Sequence, residues 1–154
     1  MNAAVMEAEK IGYPVILKAA AGGGGLSRYE ARPSYQAAVL HWSTSQPCGT
    51  FCRQVPDISA NSGVGMVIYA GGRWDIGVGT SFAAPFLAGL VADRNQGCSS
   101  LTGTFNPALY ALAGQGGYGT GLNDVTSGDN DMTGSSSGTY RAAPGYDGAT
   151  GLGS

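Results

Sequence analysis

The chain has 154 residues, enough for one domain with a buried core, and no apolar run long enough to cross a membrane. Only 12% of its residues are charged, 27 are glycine and the net charge is −2, which argues against a nucleic-acid backbone, an anionic membrane or a charged disordered tail. The composition is that of a loop-rich α/β body.

In chain order, Asn2 is placed to cap a short helix through Ile11 that Gly12 ends, and Tyr13 to Ala20 reads as a strand running into Gly22-Gly23-Gly24-Gly25. That apolar stretch is too short for a secretory signal, and Lys18 interrupts it. Met66 to Tyr69 and Trp74 to Val78 read as strands joined by a tight Gly71-Gly72 turn. Ala83 to Asn95 reads as a helix with Pro85 in its first turn, where a missing N–H costs nothing, and Gly97 past its end. Phe86 and Leu90, like Leu87 and Val91, fall four apart, and no charge precedes Asp93, so most of this helix is expected to be buried. Ser81 stands where strand gives way to helix. Its hydroxyl would face the first-turn amides and the positive end of the helix dipole, which can stabilise an oxyanion. The same residues also describe a plain N-cap by Thr80 or Ser81.

Val78-Gly79-Thr80-Ser81-Phe82-Ala83-Ala84-Pro85 resembles the nucleophile motif of the subtilase superfamily. Neighbouring stretches narrow the resemblance to the sedolisin family of serine-carboxyl peptidases. Before the serine these are Ser27-Arg28-Tyr29, Arg32-Pro33-Ser34-Tyr35-Gln36 and Arg53-Gln54-Val55-Pro56-Asp57-Ile58-Ser59-Ala60. After it come Asn106-Pro107-Ala108-Leu109-Tyr110, Asn123-Asp124-Val125-Thr126-Ser127-Gly128 and the run from Pro144 to Gly153. The resemblance implies a partial subtilisin-like (sedolisin) α/β parallel-sheet domain over residues 26–154, the C-terminal portion of such a domain. It also implies Ser81 as the residue that forms the acyl-enzyme, in endopeptidase or tripeptide-releasing hydrolysis at acid pH.

Residues 1–25 differ in kind. Ala8 to Lys18 with the glycines that follow is similar to the central part of the biotin carboxylase type of ATP-grasp domain, in which the lysine contacts nucleotide phosphates and the glycine loop covers them. Here that family's basic continuation is replaced by Leu26-Ser27-Arg28-Tyr29, and its metal-binding acidic residues have no counterpart downstream. Lys18 therefore reads as a strand-end lysine reaching solvent, and the chain as two unlike pieces meeting in the glycines.

A serine hydroxyl is a poor nucleophile until a base takes its proton and another group holds that base. The single histidine, His41 in Leu40-His41-Trp42, lacks the glycine-flanked setting of a subtilase histidine and reads as an ordinary side chain. The resemblance implies instead a glutamate base, an aspartate one helical turn beyond it, and a further aspartate at the oxyanion, all within the part of the family that precedes the matched stretch. Glu7 and Glu9 do not provide such a pair, because the residues four further on are Ile11 and Tyr13. Asp57 and Asp75 match structural positions. The expectation is a serine without its base, inactive in this chain unless the missing N-terminal part is supplied in trans. The alternatives are a non-catalytic calcium-stabilised domain and a nucleotide-binding fragment.

Near the C-terminus, Asp124 and Asp147 flank a loop rich in Ser, Gly, Asn and Asp. Calcium takes six to eight oxygens, which carboxylates and loop carbonyls supply. The resemblance implies one such ion held by the Asp124 and Asp147 carboxylates with the carbonyls of Val125, Ala143 and Gly145. Asp129-Asn130-Asp131-Met132-Thr133-Gly134 fails as an EF-hand, since Tyr140 stands where a bidentate glutamate is required. Cys48, Cys52 and Cys98 have no zinc-ligand spacing. Cys48 with Cys52, or either with Cys98, could pair in a secreted protein, and all three would stay reduced in the cytosol. The resemblance further implies a peptide or protein substrate and an extracellular setting.

Overall fold

The computed structural model describes residues 25–38, 52–63, 65–130, 134 and 140–154. The expected first helix and strand, Lys18, His41 and Cys48 lie outside the described residues. Two compact units are present. Among the described residues, the first takes in residues 60–105 and the second residues 25–59 and 106–154.

In the second unit, β1 (Gly25–Ala31) pairs antiparallel with β2 (Cys52–Val55). The register shifts between Leu26 and Ala31. The Ser27 hydroxyl accepts the amides of Tyr29 (3.2 Å) and Glu30 (2.8 Å) there, which takes those groups out of the ladder and bulges the strand. A 3-10 helix (Ser34–Ala38) follows β1. The unit's helix, Asn106–Gly114, buries Asn106, Leu109, Tyr110 and Ala113. That spacing is a single stripe of a 3.6-residue helix.

The stripe meets a polar centre. Asp57 is fully buried and accepts hydrogen bonds from the Arg53 guanidinium, Tyr110 Oη (2.9 Å), Asn106 Nδ2 (3.2 Å) and Gln36 Nε2 (3.3 Å). Gln36 also donates to the Gln54 carbonyl at 2.9 Å and accepts the Gln54 amide at 3.0 Å. A buried carboxylate is tolerated only when paired and hydrogen-bonded, and these groups do both. Burial works against the Arg53 charge, but the Asp57 carboxylate outweighs it and raises the guanidinium's pKa. Burial, then the neighbouring Tyr146 and Asp57, pushes the Tyr110 phenol well above its ordinary range; Tyr146 is pushed up mainly by its own burial.

The last residues close over this centre. Leu152, with no exposed surface, donates its amide to the Asp57 carbonyl at 2.9 Å, and Ser59 donates to the Gly153 carbonyl at 2.8 Å. Gly151 is required at its position: its φ is +65°, and a Cβ there would come within 2.5 Å of the Asp57 backbone. Cys52 is disulfide-bonded, whereas Cys98 is a free, exposed thiol of the first unit, so the pairings that used Cys98 are set aside.

The first unit holds the expected hairpin. β3 (Met66–Ala70) and β4 (Arg73–Gly77) pair antiparallel around Gly71 and Gly72, both with positive φ, the geometry that matches the twist of the flanking strands. Next comes α1 (Thr80–Gly97), longer at both ends than the periodicity predicts. Pro85 consequently sits inside the helix rather than in its first turn, where it offers no N–H to the Ser81 carbonyl. The expected burial of this helix is also corrected. Ala83 and Val91 are buried, but Phe86 and Leu90 are half-exposed, because the four-apart apolar rows are interrupted by small residues and have no single covered face. Both described ladders are antiparallel, so the parallel strands that the resemblance implies are not among them. No helix among the described residues is long and apolar enough to cross a membrane.

Candidate functional site

The sequence around Ser81 builds a sharp strand-to-helix turn. The Phe82 ring occupies the space a side chain at Gly77 would need, which draws the end of β4 against the start of α1. Gly79 is the N-cap, with φ 109° and ψ 164°, a conformation essentially closed to residues with a Cβ. Its amide donates to the Ser62 carbonyl at 2.6 Å and its carbonyl accepts the Phe82 amide at 3.0 Å. No side chain caps the helix, so neither Thr80 nor Ser81 serves as the N-cap. Ser81 is instead the second helical residue, exposed, on the turn where helix geometry leaves backbone amides without intrahelical acceptors. That arrangement presents a hydroxyl beside the positive end of a helix of 18 residues.

The other predicted group belongs to the second unit. Asp147 is buried, and its Oδ2 accepts the Ala143 amide at 2.9 Å, while Oδ1 accepts the amides of Ala149 (2.9 Å) and Thr150 (2.7 Å). Asp124 Oδ2 accepts the Gly145 amide at 2.8 Å. The two carboxylates therefore bracket one loop, and of the three residues whose carbonyls the resemblance names, Val125, Ala143 and Gly145, the last two have amides that tie the loop down. Tyr118 lies beside them: burial, then the charges of Asp124 and Asp147, raises its phenol. Asp124 Oδ1 is buried without a hydrogen-bond partner. A buried carboxylate oxygen without a donor is the kind of atom a hard, oxygen-seeking cation would use, whereas both Asp147 oxygens already accept hydrogen bonds from Ala143, Ala149 and Thr150. Among the described residues no cluster of three or more His, Cys, Asp or Glu side chains occurs, so such an ion would depend on backbone carbonyls for most of its shell.

Asp57 organises the buried network, and Asp75 on β4 is exposed, accepting the Ile76 amide at 2.8 Å and facing Arg73 at 3.7 Å. Asp129 forms a bridge with Arg141, and the Asn130 N–H donates to the Tyr140 carbonyl at 3.0 Å.

Comparison with known proteins gives this geometry a context. The chain is 36% identical over 134 residues to kumamolisin of Bacillus sp. (strain MN-32), covering 86% of this chain and 23% of that protein. It is 38% identical over 135 residues to sedolisin of Pseudomonas sp. (strain 101), and 34% identical over 142 residues to tripeptidyl-peptidase 1 of Dictyostelium discoideum. In each case it spans less than a quarter of the relative's length. The solved structure of Pseudomonas sedolisin, a serine-carboxyl proteinase complexed with two molecules of pseudo-iodotyrostatin, superposes with a TM-score of 0.68 at 33% identity, covering 86% of this chain and 33% of that one. Fold and sequence together match the chain to part of an α/β domain found in serine-carboxyl proteinases. More narrowly, over 86% of its length it is a segment of the sedolisin family.

Residues 1–48 also match the family model described as the carbamoyl-phosphate synthase L chain, ATP binding domain. That match reaches further than the ATP-grasp-like stretch read from the sequence, and runs through β1, which pairs with β2 beyond it.

Proposed function

We propose that this chain is the serine-bearing portion of a sedolisin-type peptidase, with Ser81 the nucleophile toward a peptide carbonyl. The observation that carries the reading is an exposed Ser81 on the first turn of α1, fixed behind the Gly79 N-cap, in a chain 36% identical to kumamolisin over most of its length. Ser81 Oγ bonds to the carbonyl carbon, the first-turn amides of α1 face the developing oxyanion, and the amine leaves as the acyl-enzyme forms. The hydroxyl proton passes to a carboxylate and from it to the departing amine nitrogen; in the sequence no two acids stand four apart, so we assign that carboxylate to a complementing segment. A carboxylate base remains usable at acid pH, where a histidine would be protonated.

Asp124 and Asp147, with the carbonyls of Val125, Ala143 and Gly145, would hold calcium. The bound ion would supply charge to offset the two carboxylates and fix the loop over the C-terminal segment. A disulfide at Cys52 supports an oxidising, extracellular setting. The decisive experiment supplies the carboxylate-bearing segment of a sedolisin in trans and measures hydrolysis of a peptide and labelling by an active-serine probe at acid pH. Both are expected and both vanish in Ser81→Ala; labelling that survives in that variant would refute the assignment. For calcium, a thermal melt with and without the ion is expected to show stabilisation that Asp124→Asn abolishes.

A second reading rests on the family-model match over residues 1–48. It predicts ATP-dependent protection from proteolysis that Lys18→Ala removes.

A further inference from the structure

Hairpin β3–β4 has two unlike faces. Gly77 lies on the face that carries the Phe82 ring of α1. By strand alternation, Val67, Tyr69, Trp74 and Ile76 lie on the other, with Val78 continuing the line beyond β4. Val67 is opposite Ile76 and Tyr69 opposite Trp74, the two rings meeting edge-on with centroids 5.1 Å apart. These five side chains are between 60% and 73% exposed. The charged residues of β4, Arg73 and Asp75, fall on the opposite face. An uncharged surface of this size, centred on Trp and Tyr, has the composition of an interface core rather than of ordinary protein surface.

We propose that this face docks onto the same face of a second copy of the chain. Size is the first argument. The five exposed side chains present about 600 Å² per copy, so two copies would bury about 1,200 Å², the lower bound for a specific interface. Shape is the second. The face steps down from the Tyr69–Trp74 pair beside the turn, through Val67 and Ile76, to Val78 and Gly65, over which the Ile76 side chain leans. Two such wedges related by a two-fold axis, turns pointing opposite ways, set the bulky end of each over the slim end of the other and make a sandwich of even thickness. Wedges laid in the same direction would leave a gap at the slim end.

The test is sedimentation equilibrium on the full chain carrying Cys98→Ser, because the exposed thiol could otherwise form covalent pairs. A concentration-dependent dimer is expected. Trp74→Ser with Ile76→Thr should weaken it by about 100-fold or more, since each change removes an anchor from both sides of the interface. Phe86→Ser with Leu90→Ser, on α1, should leave it intact. In a Trp42→Phe background, Trp74 emission should shift to the blue as the dimer forms. A chain that stays monomeric at every concentration would overturn the proposal. So would a dimer that survives the hairpin variant, one that is lost in the helix variant, or one that forms with Trp74 emission unchanged.

Discussion

Replacing Asp57 by Asn probes the buried centre of the second unit with almost no change of shape. The Arg53 and Asp57 side chains are 8% and 0% exposed, so water cannot take over the role of the lost charge. Arg53 Nη1 is already buried without an acceptor, which leaves the guanidinium dependent on this one carboxylate. The substituted amide also meets donors on either side. Placed toward Oδ2, its NH₂ confronts Arg53 and Asn106; placed toward Oδ1, it confronts Gln36, although the Tyr110 hydroxyl can rotate to accept. Breaking a buried pair by removing one partner costs about 3–5 kcal/mol, a large share of the ~5–15 kcal/mol that holds a domain folded. Urea denaturation followed by near-ultraviolet circular dichroism of Tyr35, Tyr110 and Tyr146 would read this loss. Arg53→Leu combined with Asp57→Asn should recover part of it, because the stranded charge is gone. A loss under about 1 kcal/mol for the single variant, or a double variant no better than the single, would refute the reasoning.

Gly79→Ala should cost about 1–3 kcal/mol through backbone strain and, by displacing the start of α1, abolish labelling of Ser81 in the complemented enzyme; undiminished labelling would count against the turn as the device that presents the hydroxyl. Leu152→Ala should cost about 2–5 kcal/mol, read as a lower urea midpoint with an unchanged slope. Tyr110 and Tyr146 both have raised pKa values in the folded state, so their contribution to stability is complete below the ordinary phenol range and is lost as pH rises above it, where only the unfolded chain ionises. Each should steepen that loss by about 1.4 kcal/mol per pH unit above ~10, and tyrosinate absorbance for the two should appear together with unfolding rather than before it.

What could be read along the chain was the local part of the structure. The hairpin follows from alternation around Gly71-Gly72, and the serine turn from glycines on either side of a strand end. The bounds and exposure of α1 did not follow, because a helix rich in Ala and Gly has too little contrast between faces to declare which one is covered. Asp57 shows the same limit at longer range. Its donors come from residues 36, 53, 106 and 110, and nothing in a one-dimensional pattern brings those positions together. Asp124 and Asp147 were singled out by resemblance alone, since the groups that hold their oxygens are mostly backbone amides, of Ala143, Gly145, Ala149 and Thr150, with only the Thr150 hydroxyl adding a side chain.

The interleaved order of the two units has a consequence for synthesis. As the chain leaves the ribosome, the Asp57 carboxylate emerges 49 residues before Asn106 and 53 before Tyr110, with the whole of residues 60–105 still to come. Until those late donors arrive, Arg53 and Asp57 are better served by water than by each other in a dry interior. The polar centre can therefore be completed only after residues 106–110 have emerged, when the whole of the Ser81 unit has already been made.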